Sequence, residues 1–283
     1  MATDGNDYLV AWWDKEKTGS SQITVQRLDK VGKPVENARF TVNTANAWPS
    51  NLMLASTGNG YLLAYREERN NGNAILGMTF NADGSVKAAN AFTIDMGSNR
   101  LFPTHLVATS TTYLLGFRSD NGATVARLDA EGHLINGSIR RVLPPNATTS
   151  LGSVSFYDIA TNGRDFLVSW CDASIPTDSA GRCEPHGTTI TADGTLGNLT
   201  QPLGPTTNNG LLVWDGNAYV WVWSFPTLQS NETVTQHFTE LLLDASGNVR
   251  SMDSAIENRQ VSSTVSMSGT DLLWTYTVPT GHP

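Results

Sequence analysis

Aromatic, acidic and basic residues recur at one place along the chain: each pair in Trp13-Asp14, Arg66-Glu67, Arg118-Ser119, Cys171-Asp172, Ser224-Phe225 and Thr277-Val278 follows an apolar run that ends in an aromatic. An aromatic ring stacks on the apolar face of a sugar, and Asp or Arg bonds its hydroxyls. Trp13, Asp14, Arg66, Glu67, Arg118 and Asp172 are therefore the candidate ligand-binding residues. Their common position places them on loops at one end of the fold, sharing one face. Their varied types argue for one site built from several loops, or for a protein-binding face, over one sugar site per repeat. The plainer alternative is that each covers the edge of its own repeat. His105 is a seventh candidate, on a strand that would line a central channel; a satisfied or solvent-facing histidine is the alternative.

Other chemistry finds less support. Glu67 and Glu68 form an acidic pair, matched by Asp14 and Glu16. Glycoside hydrolysis needs two carboxylates facing one pocket about 5–10 Å apart, and the inner strands offer little beyond Asp158. The run Arg66-Glu67-Glu68-Arg69 reads as solvated loop charges. The five histidines lie at different phases of the repeat, so no three-histidine metal site is expected. No Gly-x-Ser-x-Gly, His-Glu-x-x-His or phosphate-binding loop occurs. Gly58-Asn59-Gly60 lacks the third glycine of a dinucleotide site, and no Asp-x-Asp-x-Asp-Gly calcium loop is present. The expectation is no cofactor and no metal, and it leans away from an enzyme.

The whole chain is acidic, with a net charge of −8, which argues against a nucleic-acid partner because phosphate binding needs a basic surface. Only 16 % of its residues are charged, with Asn, Thr, Ser and Gly filling the polar positions, as suits an extracellular β-protein. No apolar run approaches the roughly 18 residues of a membrane span. The opening Met-Ala-Thr-Asp-Gly-Asn-Asp already belongs to a repeat, so no signal peptide is expected in it. Either one was removed or the chain was excised with a Met added. Cys171 and Cys183 flank a loop-like stretch and are expected to form a disulfide. Closing so short a loop would contribute about 2–3 kcal/mol and implies an oxidising compartment. Asn-x-Ser/Thr sequons at Asn136, Asn146, Asn198 and Asn231 are explained by the abundance of Asn and Thr.

The elements that position these residues repeat. Six apolar runs begin at Tyr8, Tyr61, Tyr113, Phe166, Tyr219 and Leu272, at steps of 53, 52, 53, 53 and 53. Five of them are followed by an Asp- or Asn-containing Gly turn: Asp29–Gly32, Asn81–Gly84, Asp129–Gly132, Thr191–Gly194 and Asp244–Gly247. Gly supplies positive φ there and Asp tolerates turn geometry, so each marks a hairpin tip. A second tight turn precedes most runs, with Ser110 standing in for Gly in the third copy. Each repeat reads as a meander of four short strands: an inner strand, the apolar run, a strand leading to the Gly turn, and an outer strand. The run is apolar on both faces, so both faces must be covered.

Four-stranded units at this period, packed face to face, describe a β-propeller, with a β-sandwich as runner-up. The last aromatic of each run, Trp12, Tyr65, Phe117, Trp170, Trp223 and Tyr276, would fill the gaps between blades. One propeller domain is expected over residues 1–283, with repeats starting near 1, 50, 103, 154, 207 and 260. Five repeats are complete and a sixth is partial. Six blades with a reduced last one are favoured, and five blades with one redundant strand are the alternative.

The segments Ile159–Trp170 and Met1–Trp12, with the strand ends Arg27-Leu28-Asp29 and Arg127-Leu128-Asp129, resemble bacterial secreted repeat proteins. Those proteins carry a Gly-x-x-Tyr-Leu-Val-x-Trp run followed by Arg-x-Asp-x-x-Gly. The resemblance covers nearly the whole chain; it implies a propeller-like fold and a secreted, cell-surface or periplasmic location, and it is almost silent on activity. The function expected is a non-catalytic binding module that recognises glycan or a surface protein through one loop face. An adhesion or structural scaffold making protein contacts is the alternative, and a carbohydrate-active enzyme the third reading.

Overall fold

A computed structural model describes residues 1–15, 21–44, 48–69, 72–87, 91–98, 101–120, 122–142, 154–172, 184–200, 209–228, 234–257, 262–268 and 271–277. Among these the chain is all β, without a helix. Five sheets are four-stranded antiparallel meanders, and a sixth has two strands. Sheet I holds β1 (Ala2–Thr3), β2 (Tyr8–Lys15), β3 (Ser21–Leu28) and β4 (Pro34–Thr44). Sheet II holds β5 (Trp48–Ser56), β6 (Gly60–Arg69), β7 (Gly72–Asn81) and β8 (Phe92–Ser98). Sheet III holds β9 (Phe102–Ala108), β10 (Thr112–Ser119), β11 (Gly122–Asp129) and β12 (Arg140–Arg141). Sheet IV holds β13 (Val154–Thr161), β14 (Phe166–Asp172), β15 (Glu184–Ile190) and β16 (Leu196–Thr200). Sheet V holds β17 (Asn209–Trp214), β18 (Tyr219–Leu228), β19 (Val234–Leu243) and β20 (Val249–Glu257). Sheet VI pairs β21 (Ser262–Ser268) with β22 (Asp271–Thr277). The contacts divide the chain into two compact units, Met1–Gly152 with sheets I–III and Ser153–Pro283 with sheets IV–VI.

Local chemistry builds the meanders. In all five outer hairpins the turn glycine has φ between 79° and 90° and donates its N–H to the carbonyl three residues back. Where the turn opens with Asp, its carboxylate secures the loop: Asp29 Oδ1 accepts from the N–H of Val31 and Lys33, and Asp129 and Asp244 do the same. The inner hairpins use the same device. Asp4, Asn162 and Asp215 each accept two backbone N–H groups through Oδ1. In the third repeat, where Ser110 replaces Gly, the Thr109 hydroxyl accepts from Thr111 and Thr112 instead.

The two-faced runs are covered as their composition requires. In the first unit, Tyr61, Leu63 and Tyr65 of β6 pack with Leu9, Ile23 and Val25 of sheet I. The alternate residues Leu62 and Ala64 pack with Tyr113, Leu115 and Phe117 of sheet III. In the second unit Tyr219 and Trp221 of β18 pack with Ala160 and Leu167 of sheet IV. Residues one, three and five of a run thus look back to the preceding sheet, and residues two and four look forward. Tyr65 and Phe117 fill gaps between sheets as expected, while the side chain of Trp223 lies outside the described residues.

The first tyrosine of a run also ties sheets together. Tyr113 Oη donates to the Gly60 carbonyl at 3.2 Å, and Tyr219 Oη donates to the Asp165 carbonyl at 3.2 Å. Tyr113→Phe is expected to lower stability by about 1 kcal/mol, the net value of one such bond. Urea unfolding of the variant measures it, and an unchanged midpoint would remove the bond from the interface account.

Candidate functional site

The strands run further than the sequence reading placed them. β2 continues to Lys15, β6 to Arg69, β10 to Ser119 and β14 to Asp172. Trp13, Asp14, Arg66, Glu67, Arg118 and Asp172 therefore lie within strands and not on loops. Their ladders are complete: Trp13 faces Ile23, Asp14 faces Gln22, Arg66 faces Ile75, Glu67 faces Ala74, and Arg118 faces Ala123. Polar residues after the aromatic resemble a loop in sequence, yet backbone pairing carries them on.

Pleating then sorts the candidates by face. Trp13 shares the face of its cross-strand partner Ile23, which packs against sheet II. Glu67 and Arg69 continue the face of Tyr61, Leu63 and Tyr65, which packs against sheet I. By strand alternation all three are directed toward the interface between sheets I and II. Arg66 and Glu68 lie on the opposite side of β6, toward sheet III.

Each side chain has a distinct environment. Trp13 is 44 % exposed, the one exposed aromatic among the described side chains. Asp14 Oδ2 accepts the Trp12 indole N–H at 2.8 Å, and the Arg39 guanidinium lies 5.6 Å from the Trp12 ring centre. Glu67 Oε1 accepts from Arg69 Nε at 2.5 Å. Below this pair, burial and then the Glu67 charge push the Tyr65 hydroxyl up to about 12. Arg66 Nη1 pairs with Glu68 Oε1 at 2.9 Å, and its Cζ lies 4.0 Å from the Phe102 ring centre. Residues 66–69 are thus two ion pairs on opposite faces of a strand and not a loop, with Glu68 and Arg69 exposed as solvated charges are expected to be.

The other candidates belong to sheets III and IV. Arg118 is half-buried in β10. His105 is half-buried opposite Gly116, and desolvation pushes its imidazole down to about 4, so it is neutral at physiological pH. The backbone of Asp172 pairs with Val154 and Glu184, and its side chain lies outside the described residues. Cys183 is likewise outside them, and Cys171 is described only in its backbone.

Two residues gained importance that the sequence reading did not give them. Arg69 supplies the partner of Glu67. Asp158 follows a bulge in β13 and lies opposite Ser169, just as His105 follows a bulge in β9 and lies opposite Gly116. The step from 105 to 158 is the repeat itself, so adding the period to His105 finds Asp158. Its Oδ1 accepts from the N–H of Ile159 at 2.7 Å and its Oδ2 from the N–H of Leu212 at 2.8 Å. The second bond clasps sheet IV to sheet V. Desolvation outweighs both bonds and pushes the carboxyl up to about 6. Among the described residues no three His, Cys, Asp or Glu side chains cluster as a metal site.

No family model and no curated protein matches the chain. Among solved structures it is similar to the polysaccharide lyase Uly1, at a TM-score of 0.52 and 11 % identity, over 98 % of this chain and 75 % of that one. It is similar to prolyl oligopeptidase B from Galerina marginata, at a TM-score of 0.51 and 11 % identity, over 95 % of this chain and 37 % of that one. It is also similar to the Synechocystis apocarotenoid oxygenase, at a TM-score of 0.50 and 11 % identity, over 96 % of this chain and 61 % of that one. The chain therefore spans less than two thirds of the last two. At such identity the likeness shows the fold, all-β and propeller-like. A lyase, a peptidase and an oxygenase sharing it also shows that this fold leaves the chemistry open.

Proposed function

We propose that the chain is a non-catalytic, extracytoplasmic recognition module of bacterial type, a β-propeller of six blades with a reduced last one, that binds glycan. The Cys171–Cys183 disulfide belongs to this reading. The observation that carries it is Trp13: its ring is exposed at the end of the interface between sheets I and II, where every other large apolar residue of the run is at least partly covered. An exposed indole presents a flat apolar face, and the Glu67–Arg69 pair on the facing sheet presents hydrogen-bonding groups to the same gap. Of the seven candidate residues, Trp13 and Glu67 form this site. Asp14 holds Trp12, and Arg66 is engaged by Glu68 and Phe102.

A protein-binding scaffold is the second reading. Leu196, Val249 and Met252, exposed at 41 %, 52 % and 52 % on the outer strands β16 and β20, favour it. A glycan array on the purified, oxidised chain separates the two. The glycan reading expects a saturable hit whose affinity falls about tenfold or more in Trp13→Ala, the usual size for a central aromatic anchor. A blank array, or a hit indifferent to Trp13→Ala, gives the weight to the scaffold. Repeating the array with EDTA tests for a metal, which this site does not call for.

A further inference from the structure

We infer that Asn136 is a site of spontaneous modification, at which the side-chain amide is lost through a cyclic imide formed with Gly137. The chemistry needs only an Asn-Gly pair and water. The glycine N–H gives up its proton, and its nitrogen attacks the carbonyl carbon of the asparagine side chain. A new C–N bond closes the ring, and the amide nitrogen leaves with the proton as ammonia. Water then opens the imide at either carbonyl. One opening gives aspartate; the other gives isoaspartate, whose backbone runs through the side chain and is longer by a methylene. Glycine is the least hindered partner because it has no Cβ. The ring closes only where the asparagine side chain and the glycine nitrogen are free to meet.

Six Asn-Gly pairs occur, at Asn59, Asn71, Asn121, Asn136, Asn162 and Asn209. Asn71 and Asn121 lie outside the described residues, and Gly60 and Gly210 lie within strands. The remaining two pairs sit in turns that are held differently. At Asn162 both reacting groups are engaged. Its Oδ1 accepts from the N–H of Arg164 at 2.9 Å and of Asp165 at 2.7 Å, and the Gly163 N–H donates to the Thr161 hydroxyl at 3.1 Å. Asn136 and Gly137 are exposed, in a turn where the Ser138 N–H donates to the Ile135 carbonyl at 3.0 Å. That bond uses neither reacting group. Among the described residues nothing bonds the Asn136 amide or the Gly137 N–H, and a Cβ on Gly137 would meet nothing within 4 Å. Conversion here reaches beyond the turn. The buried Ser138 hydroxyl accepts from the Arg127 N–H at 3.2 Å and donates to the Arg127 carbonyl at 2.9 Å, tying the segment to β11. Isoaspartate lengthens the chain just ahead of that tie, and either product adds a negative charge to a chain already at −8.

Peptide mapping by mass spectrometry tests this on the full chain, incubated at mildly alkaline pH both folded and unfolded in urea. Conversion is read as the exchange of NH₂ for OH at each asparagine. In the folded chain Asn136 should convert at least about tenfold faster than Asn162, because closure at Asn162 must first break the bonds of both reacting groups. In urea the two should convert at similar rates, since the turns are gone. Thr161→Val removes the acceptor of the Gly163 N–H and should speed conversion at Asn162 while leaving Asn136 unchanged. Equal rates in the folded chain, or a faster Asn162, overturn the inference. A gap that persists in urea overturns it too, because the difference would then lie in the flanking residues and not in the turns. An Asn162 rate indifferent to Thr161→Val overturns the protection assigned to that hydroxyl.

Discussion

Gly132→Ala is expected to destabilise the Met1–Gly152 unit by about 2–5 kcal/mol, and Gly32→Ala, at the same turn position one hundred residues earlier, by only about 1–2 kcal/mol. The two glycines have nearly the same backbone, φ 86° and 81°, so the strain of a side chain at positive φ is common to both. Their surroundings differ. A Cβ on Gly32 meets nothing within 4 Å, whereas one on Gly132 collides with the Thr79 Cγ2 methyl and comes within 3.7 Å of Phe92 and Leu62 in sheet II. Gly84 is intermediate, with Leu9 at 3.2 Å and Arg27 at 3.4 Å. The outer hairpin tip of each of these two sheets leans on the sheet before it, and the glycine is required twice, once for the turn and once for the approach. Urea midpoints of the three variants should therefore fall in the order Gly32, Gly84, Gly132. Pairing Gly132→Ala with Thr79→Ser, which removes the colliding methyl, should recover most of the excess cost. Equal costs at Gly32 and Gly132 would show that the tip does not bear on sheet II.

These glycines mark what could be read from sequence and what could not. The turn was legible because its causes are local: an Asp that accepts its own backbone N–H groups and a Gly that reaches positive φ. The 53-residue period and the two-faced runs were legible because apolar residues on both faces of a strand demand sheets on both sides. Strand ends were not, because past Trp12 or Tyr65 the residues turn polar, and what carries Arg66–Arg69 on in β6 is the backbone ladder to Gly72–Ile75 and the i,i+2 ion pairs Arg66–Glu68 and Glu67–Arg69, which need no apolar pattern. The candidate site suffered for the same reason. Trp13 and Arg66 occupy equivalent positions and pleating turns each toward the sheet that follows its own, so they enter successive gaps; the residues directed toward the gap of Trp13 from sheet II are Glu67 and Arg69, one and three positions past its repeat equivalent. The equivalence of His105 and Asp158 was present in the numbering, yet it joins residues of unlike type. Only the shared bulge and the shared cross-strand level make it visible.

Asp158 should make the stability of the Ser153–Pro283 unit fall as pH rises from about 4 to about 6. Its carboxyl titrates near 3.8 when unfolded and near 6 when folded, because desolvation favours the neutral form. Between those values the folded state holds the extra proton, so raising the pH removes stability, about 3 kcal/mol in all at 1.36 kcal/mol per pH unit. Asp244, in the same unit, is held low by the side-chain and backbone donors of its turn and acts with the opposite sign, losing stability in acid. The raw pH profile mixes the two, and the difference between Asp158→Asn and the parent chain isolates the first. At pH 7 the variant escapes the burial of a charge but turns an amide NH₂ toward one of two N–H donors, of Ile159 or Leu212, a loss of about 1–3 kcal/mol. These opposing effects nearly cancel, so the variant should match the parent closely at neutral pH. At pH 4 the parent carboxyl is neutral and the relief vanishes while the lost bond remains, so the variant should fall behind by up to about 3 kcal/mol. Chemical unfolding at pH 4, 5, 6 and 7 reads the difference directly. A deficit that grows toward neutral pH would reverse the assignment: the two backbone donors would then outweigh desolvation, and the clasp between sheets IV and V would be an ionised one held for its charge.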